Sequence, residues 1–133
     1  MLVARYNARD CSIMVDGVYI TGLGEEMVNF EKDEALFEAV VGACGDVIKN
    51  ETNNDLHTLT LTVQPTSPQF GYLLDLKKRA ESFPVWVINK QLGVRFGGTM
   101  ANVIESPGLS LGATAEDVEI TFCVFDGVLE STK

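Results

Sequence analysis

An alternating strand that runs directly into a proline-bounded helix places the strongest constraint on how this chain can fold. Apolar residues stand at Leu59, Leu61 and Val63, and threonines stand between them. Because successive side chains of a strand point to opposite faces, this pattern predicts a strand with one apolar face and one hydroxyl face. Threonine is β-branched, so its strand propensity agrees with the pattern. We expect the rest of the chain to be sheet built around this strand.

A single helix is predicted after the strand, over residues 68–82. Ser67 has the residue type of an N-cap, and Pro68 suits the first helical position. Apolar residues then recur at helical spacing from Phe70 onwards. The expected last turn carries three adjacent cations, where positive charge suits the helix dipole: Lys77, Lys78 and Arg79.

Turn signals and apolar patterns predict strands on both sides of this unit. Residues 9–21 favour a hairpin, because Asp16-Gly17 is typical of a type I′ turn, in which both central residues have positive φ. Further strands are expected over 27–32, over 94–104 with a bulge or bend at the paired glycines, and over 117–125. The sequence therefore predicts a mainly β fold with one helix.

Trp86 stands in the apolar run Val85–Ile88. An unbroken apolar run of this length is typical of a strand that is buried on both faces. We therefore expect Trp86 to be a core residue.

A long irregular loop is predicted over residues 33–54. It is too apolar for a solvated linker, so its side chains need a surface to bury against. A neighbouring subunit would supply one. A short amphipathic helix folded back on the protein's own core is the alternative. The apolar residues at issue are Leu36, Phe37, Val40, Val41, Val47 and Ile48.

Length and composition favour one acidic globular domain. The chain has 133 residues, 46% of them hydrophobic, and a net charge of -9 at pH 7. This size suits a single domain over residues 1–133, with a short frayed tail over 127–133. An acidic chain is a poor general binder of nucleic acid, since phosphate contact needs lysine and arginine. We expect no membrane insertion, because no apolar run approaches the roughly 18 residues of a span, and the start has no signal-peptide core.

The residues that could support chemistry are few and scattered. His57 has no partner histidine at ligand spacing, so neither a metal nor another cofactor is expected. Cys11, Cys44 and Cys123 are widely spaced, and we expect them to be buried free thiols. No nucleophile elbow or P-loop occurs. The sequence favours a structural or binding role over an enzyme.

Five stretches resemble tail tube proteins of contractile-tailed bacteriophages. The likeness extends over most of residues 4–126, and its longest block joins the alternating strand to the Pro-Thr-Ser-Pro segment. The stretches are ARYNARD at 4–10, VDGVYITGLGE at 15–25, EKDE at 31–34, TLTLTVQPTSPQ at 58–69 and FGGTMAN at 96–102.

The resemblance implies a fold, a role and a set of partners. Such proteins have a β-sandwich or barrel-like core with one flanking helix, and they form hexameric rings that stack into the inner tube of the tail. The expected partners are other copies of the chain and the tail sheath, tape-measure, baseplate and tail-terminator proteins. Phage DNA would pass through the tube without specific binding. The expected location is the virion tail, and the host cytoplasm during assembly.

In such a tube, each candidate surface has an expected direction. The apolar residues of the 33–54 loop would contact neighbouring subunits. The basic cluster at 77–79 would face the sheath, and the hydroxyl face of Thr58, Thr60 and Thr62 would border the channel. Acidity would keep the channel wall from binding DNA; alternatively, it is only solubilising, and the lumen is mixed.

Two other functions fit the sequence. A baseplate hub or tube-initiating ring would share the fold and form one ring only. A monomeric β-sandwich binding module, for example for carbohydrate, would not assemble at all.

Overall fold

Ten strands and one short helix make up the computed structural model, which describes residues 1–132. The strands are β1 (Cys11–Val15), β2 (Val18–Tyr19), β3 (Leu23–Lys32), β4 (Phe37–Val41), β5 (Val47–Glu51), β6 (His57–Val63), β7 (Phe83–Asn89), β8 (Val94–Val103), β9 (Val118–Val124) and β10 (Val128–Ser131). The helix, α1, spans Phe70–Asp75. The mainly β prediction is confirmed. No helix within residues 1–132 is long and apolar enough to cross a membrane.

Eight strands form one antiparallel sheet in the order β2-β1-β7-β8-β9-β6-β3, with β10 also paired to β8. Strand β8 is shared between two halves of this sheet. Its first residues pair with β7 and β10, and Ala101–Val103 pair with β9. The apolar faces of the two halves and the buried helix residues Leu73 and Leu76 form one core.

The alternation in β6 and β9 produces the centre of that core. Leu59, Leu61 and Val63 are fully buried, as the sequence predicted. Their partners across the ladder, Phe122, Ile120 and Val118, are buried as well. Burying large aliphatic and aromatic side chains contributes about 1.5–3 kcal/mol each, so this pair of strands is a major source of stability.

Two predicted turns are confirmed by the backbone. Asp16 and Gly17 both have positive φ, at 51° and 78°, and join β1 to β2. In β8, Gly97 has a φ of 132°, and the register with β7 shifts just beyond it. A Cβ at Gly97 would overlap the carbonyl oxygen of Val85, so this bend requires glycine.

The helix is shorter than the predicted 68–82. The Ser67 hydroxyl donates to the Thr21 carbonyl at 2.5 Å, and Gln69 takes the N-cap position, where it makes no capping hydrogen bond with its side chain. A 3-10 turn over Leu76–Lys78 follows α1, and Arg79 is already extended. The Asn102 amide donates to the carbonyls of Arg79 and Glu81, which gives this backbone partners outside a helix.

The predicted irregular loop at 33–54 is wrong: the segment contains a β-hairpin. Strands β4 and β5 pair in register from Phe37↔Glu51 to Val41↔Val47, and Gly45 has a φ of 93° in the turn. The alternative of an amphipathic helix is wrong for the same reason. The adjacent β-branched pairs Val40-Val41 and Val47-Ile48 favour extended backbone over a helix.

The predicted frayed tail is also wrong for most of its length. Residues Val128–Ser131 form β10, which pairs with Val94–Gly97 of β8. Because β9 pairs only with the far end of β8, the edge of its first half is free to take this strand. Lys133 lies outside the described residues.

Trp86 is not the core residue that the sequence predicted. In β7, Val85 and Val87 point into the core, while Trp86 and Ile88 lie half-buried on the outer face. The Arg95 guanidinium stacks on the Trp86 ring at 4.4 Å from its centroid. The strand belongs to an antiparallel sheet with one covered face, and the outer side chains merely happen to be apolar.

Candidate assembly surfaces

The hairpin of β4 and β5, here called the hairpin arm (Phe37–Glu51), forms a separate two-stranded sheet. It extends the β3–β6 pair: Lys32 pairs with His57, and the arm begins five residues further on at Phe37↔Glu51. Every residue of its two strands is exposed. The arm therefore lies outside the protein's own core.

The tip of the arm is apolar on both faces. The cross-strand pair Val40↔Ile48 lies on one face, and Val41↔Val47 lies on the other. Val41 is 66% exposed and Ile48 is 64% exposed. An isolated hairpin is marginally stable in water, and exposed contiguous apolar surface marks an interaction site.

The structure brings all six predicted contact residues to this region. Five lie on the arm, and Leu36, which is 70% exposed, precedes it. Near the base of the arm, Lys49 lies 3.8 Å from Glu51 and over the Phe37 ring, whereas Asp46 lies in the turn at the tip. Both strands of the arm are exposed along their whole length, so within residues 1–132 the fold leaves the apolar tip uncovered.

A groove of about 370 Å³ lies at the base of the arm. It is the open end of the core between β3, β6 and β10, because Phe30, Lys32 and His57 share the face of Leu59. We call it the base groove and define it by Phe30, Lys32, Leu36, His57, Val128 and Leu129. The groove was not predicted from the sequence, because residues 127–133, which include β10, were expected to be frayed.

Packed aromatic rings build the floor of the base groove. His57 stacks on Phe30, with ring centroids 4.5 Å apart, and Phe30 also packs on Phe96. The Asp55 carbonyl accepts hydrogen bonds from the Gly127 N–H at 3.1 Å and from His57 Nδ1 at 2.9 Å. Since a carbonyl can only accept, His57 carries its proton on Nδ1 there. His57 is thus a structural residue of the groove floor.

The predicted basic cluster does not form one free cationic patch. Arg79 forms an ion pair with Asp16 at 2.6 Å and lies over the Phe83 ring. The hydrogen bond that Arg79 donates to the Asp16 carboxylate raises the pKa of Arg79. Lys77 donates to the Ser106 hydroxyl at 3.2 Å, and Lys78 lies 3.8 Å from Asp75. Arg79 therefore connects the helix end to the β1–β2 turn, and the two lysines remain exposed.

The predicted hydroxyl stripe lies on the outer face of β6. Thr58 and Thr60 are half-buried, and the Thr58 hydroxyl donates to the Asp33 carboxylate at 2.9 Å. Thr62 is only 6% exposed, because Gly24 crosses directly over it. Neighbouring strands continue this polar face with Asn29, Glu31, Glu119 and Thr121.

A second outer face, on β2, β1 and β7, is apolar. Met14 pairs with both Tyr19 and Trp86, and Ile88 lies further along β7. Tyr19 is 61% exposed. These strands were predicted, but no role was assigned to this face, although the alternation over Cys11–Val15 indicates that Met14 lies on it.

The cysteines differ in exposure, so the prediction that all three are buried is wrong. Cys44 is exposed in the turn of the hairpin arm, while Cys11 and Cys123 are half-buried. Burial raises the pKa of the Cys11 and Cys123 thiols. Residues 1–132 contain no cluster of three or more histidine, cysteine or carboxylate side chains that could hold a metal ion.

Comparison with solved structures finds likenesses along nearly the whole chain. The tube-terminating cap of the anti-feeding prophage aligns with a TM-score of 0.63 at 12% identity, covering 98% of this chain and 95% of the cap protein. The PVC sheath/tube terminator, from an extracellular contractile injection system in its extended state, aligns with a TM-score of 0.60 at 11% identity, covering 98% and 100%. A chain of the PVC sheath–tube complex aligns with a TM-score of 0.59 at 12% identity, covering 96% and 92%.

No protein-family profile and no curated protein matches the sequence. At 11–12% identity, the structural likeness establishes a shared fold. Because almost the whole length of each chain is aligned, the shared fold includes all the main elements of this protein. The mainly β core with one short helix is therefore an architecture that tube-terminating proteins also adopt.

Proposed function

We propose that this protein is a structural component of the inner tube of a contractile tail or a tail-like contractile particle. In this proposal it forms closed, hexameric rings that stack into the conduit through which phage DNA leaves. It is no enzyme. Its location is the virion tail, and the host cytoplasm during assembly. The sheath, tape-measure, baseplate and tail-terminator proteins are its proposed partners.

The observation that supports this most is the full-length likeness to chains of contractile particles. Near-complete coverage on both sides favours a protein with the same architectural role over a small module that shares part of a fold. The exposed hairpin arm is a second support. A monomeric binding module has no evident use for an apolar arm outside its core, while a ring subunit does.

The polar outer face of β3, β6 and β9 is the proposed channel wall. Thr58, Thr60 and Thr121 supply neutral hydroxyls, and Glu31 and Glu119 supply negative charge. The paired residues of this face include no lysine or arginine within the described chain. Phosphate groups would thus meet no cation along it, and DNA could pass without being retained. Thr62 is excluded from the proposed wall by its burial.

The exposed lysines Lys77 and Lys78 remain the proposed sheath-facing residues. They lie in the 3-10 turn that follows the helix, and both side chains are exposed. Arg79 leaves this set, since its guanidinium is already paired with Asp16.

The tube-terminating cap is the second candidate function. Two of the similar structures favour it, because one is a tube-terminating cap and the other is a sheath/tube terminator. A cap would form one ring on the end of a tube, and a tube protein would form rings that stack on one another. The length of the assembled particle distinguishes the two.

Polar substitutions on the hairpin arm test the proposal. Val41→Ser and Ile48→Ser remove exposed apolar groups from the tip and should leave the melting temperature nearly unchanged, since surface substitutions usually cost less than about 0.5 kcal/mol. We expect both variants to shift the protein from rings to monomers in size-exclusion chromatography with light scattering. Leu111→Ser, at an equally exposed leucine outside the arm, is the matched control and should leave assembly intact. A wild-type protein that is monomeric at every concentration would overturn the proposal.

A further inference from the structure

We propose that the tip of the hairpin arm of one copy docks into the base groove of a neighbouring copy, with Glu38 of the arm pairing with Lys32 of the groove. This inference rests on the proposed function, because it names the contact that joins one subunit to the next. The arm and the groove are both present on every subunit. Each copy would therefore offer an arm to one neighbour and a groove to another.

The shape of the tip indicates a cleft as its partner. Apolar pairs lie on both of its faces, Val40↔Ile48 on one and Val41↔Val47 on the other. A flat surface would cover only one of these pairs and leave the other in water. Burying apolar surface contributes about 25 cal/mol per Å², so a cleft that covers both faces is favoured.

The base groove has the matching chemistry. Its walls are the exposed side chains of Leu36, Val128 and Leu129, of which Leu129 is 65% exposed. Its floor is the rigid Phe30–His57 stack. These side chains extend the core at its open end, so an inserted valine or isoleucine would continue the packing of Leu59.

Charge determines which face of the tip lies against Lys32 of the groove. Glu38 lies on the same face of the arm as Val40, and no ion pair among residues 1–132 includes it. Lys32 is half-buried at the groove and donates to the Asn54 carbonyl, which leaves its positive charge without a counter-ion. Asp55, the acidic residue at the groove, is exposed to solvent. An ion pair to the half-buried Lys32 stabilises the contact more than an ion pair between two fully exposed groups would, because water screens exposed charges.

An arm cannot reach the groove of its own subunit. The tip lies five strand residues from the base, which is roughly 16 Å at the rise of an extended strand. The contact is therefore between different copies, and it joins an arm to a groove, two unlike surfaces. Contacts of that kind generate rings when the rotation closes.

The exposed Cys44 in the arm's turn gives a direct test. In the variant Leu129→Cys, a short bismaleimide should join Cys44 of one copy to the new thiol of the next. Because every subunit then carries both thiols, denaturing gels should show a ladder of covalent oligomers. Cys11 and Cys123 react slowly by comparison, since burial raises the pKa of each thiol.

Two matched controls isolate the contact. Leu129→Cys combined with Cys44→Ser should give no ladder. Leu111→Cys with Cys44 intact should give none either, because residue 111 precedes Val118, which pairs with Val63 at the end of β6 away from His57. A ladder from Leu111→Cys would contradict the docking site.

Charge reversal tests the ion pair. Glu38→Lys and Lys32→Glu should each lower the yield of the ladder several-fold, and the double variant should restore it. If light scattering shows rings but Leu129→Cys gives no ladder, the docking inference is wrong and the proposed function stands. If the wild-type protein is monomeric throughout, both are wrong. If neither charge reversal changes the ladder, the assigned Glu38–Lys32 pairing is wrong.

Discussion

The carboxylate of Asp126 accepts a 3.0 Å hydrogen bond from the backbone N–H of Met100. The same carboxylate accepts from the Thr99 N–H at 3.1 Å and from the Thr99 hydroxyl. Thr99 and Met100 form the bulge at which β8 passes from one half of the sheet to the other. Asp126 therefore fixes the bend that closes the two halves on one core.

Asp126→Asn tests this function and its pH dependence. Burial alone would raise the pKa of the Asp126 carboxyl, but the hydrogen bonds from Thr99 and Met100 outweigh it and lower the pKa below 3.8. A carboxylate with a lowered folded-state pKa stabilises the fold above its unfolded pKa and loses that contribution as the pH falls through the folded value. At pH 7 we expect Asp126→Asn to lower the free energy of unfolding by about 1 kcal/mol, a modest amount because water can reach the freed N–H groups.

Urea unfolding across the acid range measures that effect. The difference in the free energy of unfolding between wild type and Asp126→Asn should shrink as the pH falls below 3.8, the ordinary pKa of an aspartate carboxyl. A difference that stays constant from pH 7 into this range would show that the charge of Asp126 contributes nothing to the bend.

Gly97→Ala should prevent stable folding. The new Cβ would overlap the Val85 carbonyl oxygen, and the φ of 132° is strained for any other residue. Backbone strain alone costs about 1–3 kcal/mol, and the overlap adds to it. Gly108→Ala is the control, since no atom lies within 4 Å of a Cβ at that position. Equal melting temperatures of the two variants would contradict the close approach of the β7 and β8 backbones at Gly97.

Trp86→Ala should leave a folded protein, whereas Phe83→Ala should not. Phe83 is 1% exposed and packs edge-on against Phe122 in the core. Losing such a side chain costs about 3–5 kcal/mol. Trp86 is half-buried on the outer face, so its removal loses less apolar burial than the removal of Phe83. It also loses the cation–π contact with Arg95, which is worth about 0.5–1 kcal/mol at an exposed site. Chemical denaturation of both variants compares the losses.

Lysines on the polar face of β6 and β9 test the proposed channel wall. Thr60 and Thr121 pair across the two strands and are both half-buried. In the variant Thr60→Lys/Thr121→Lys, each new cation would add a phosphate contact, and such contacts weaken steeply with salt. We expect assembled particles of this variant to retain labelled DNA at low salt, while wild-type particles do not. Lysines at Gln64 and Thr66, outside the strand, serve as the control pair.

The strands that contact the core were predictable because strands with one buried face show alternating apolar residues in the sequence. In β6 and β9 every second residue is apolar, and the structure buries each of them. The Asp16-Gly17 turn and the Gly97 bend were predictable for a related reason, since few residue types tolerate positive φ. Local chemistry sufficed in these places.

The sequence was misleading where pairing partners are distant. Residues 128–131 form a strand because β8 has a free edge to pair with, and no local sequence pattern indicates that edge. Trp86 lies in an apolar run, but its direction follows from which face of β7 meets the core. Residues 33–54 were predicted to be an apolar irregular loop that contacts neighbouring subunits, but their strand geometry and the groove at the base of the arm follow only from the folded chain.

Electron micrographs of the purified, full-length protein test the central proposal most directly. If the protein is a structural ring component of a contractile particle, negatively stained samples should contain rings with a central channel. Stacking of those rings into long tubes would identify an inner tube protein, and single rings would identify a terminating cap or hub. A field of uniform monomeric particles at high protein concentration would contradict the account.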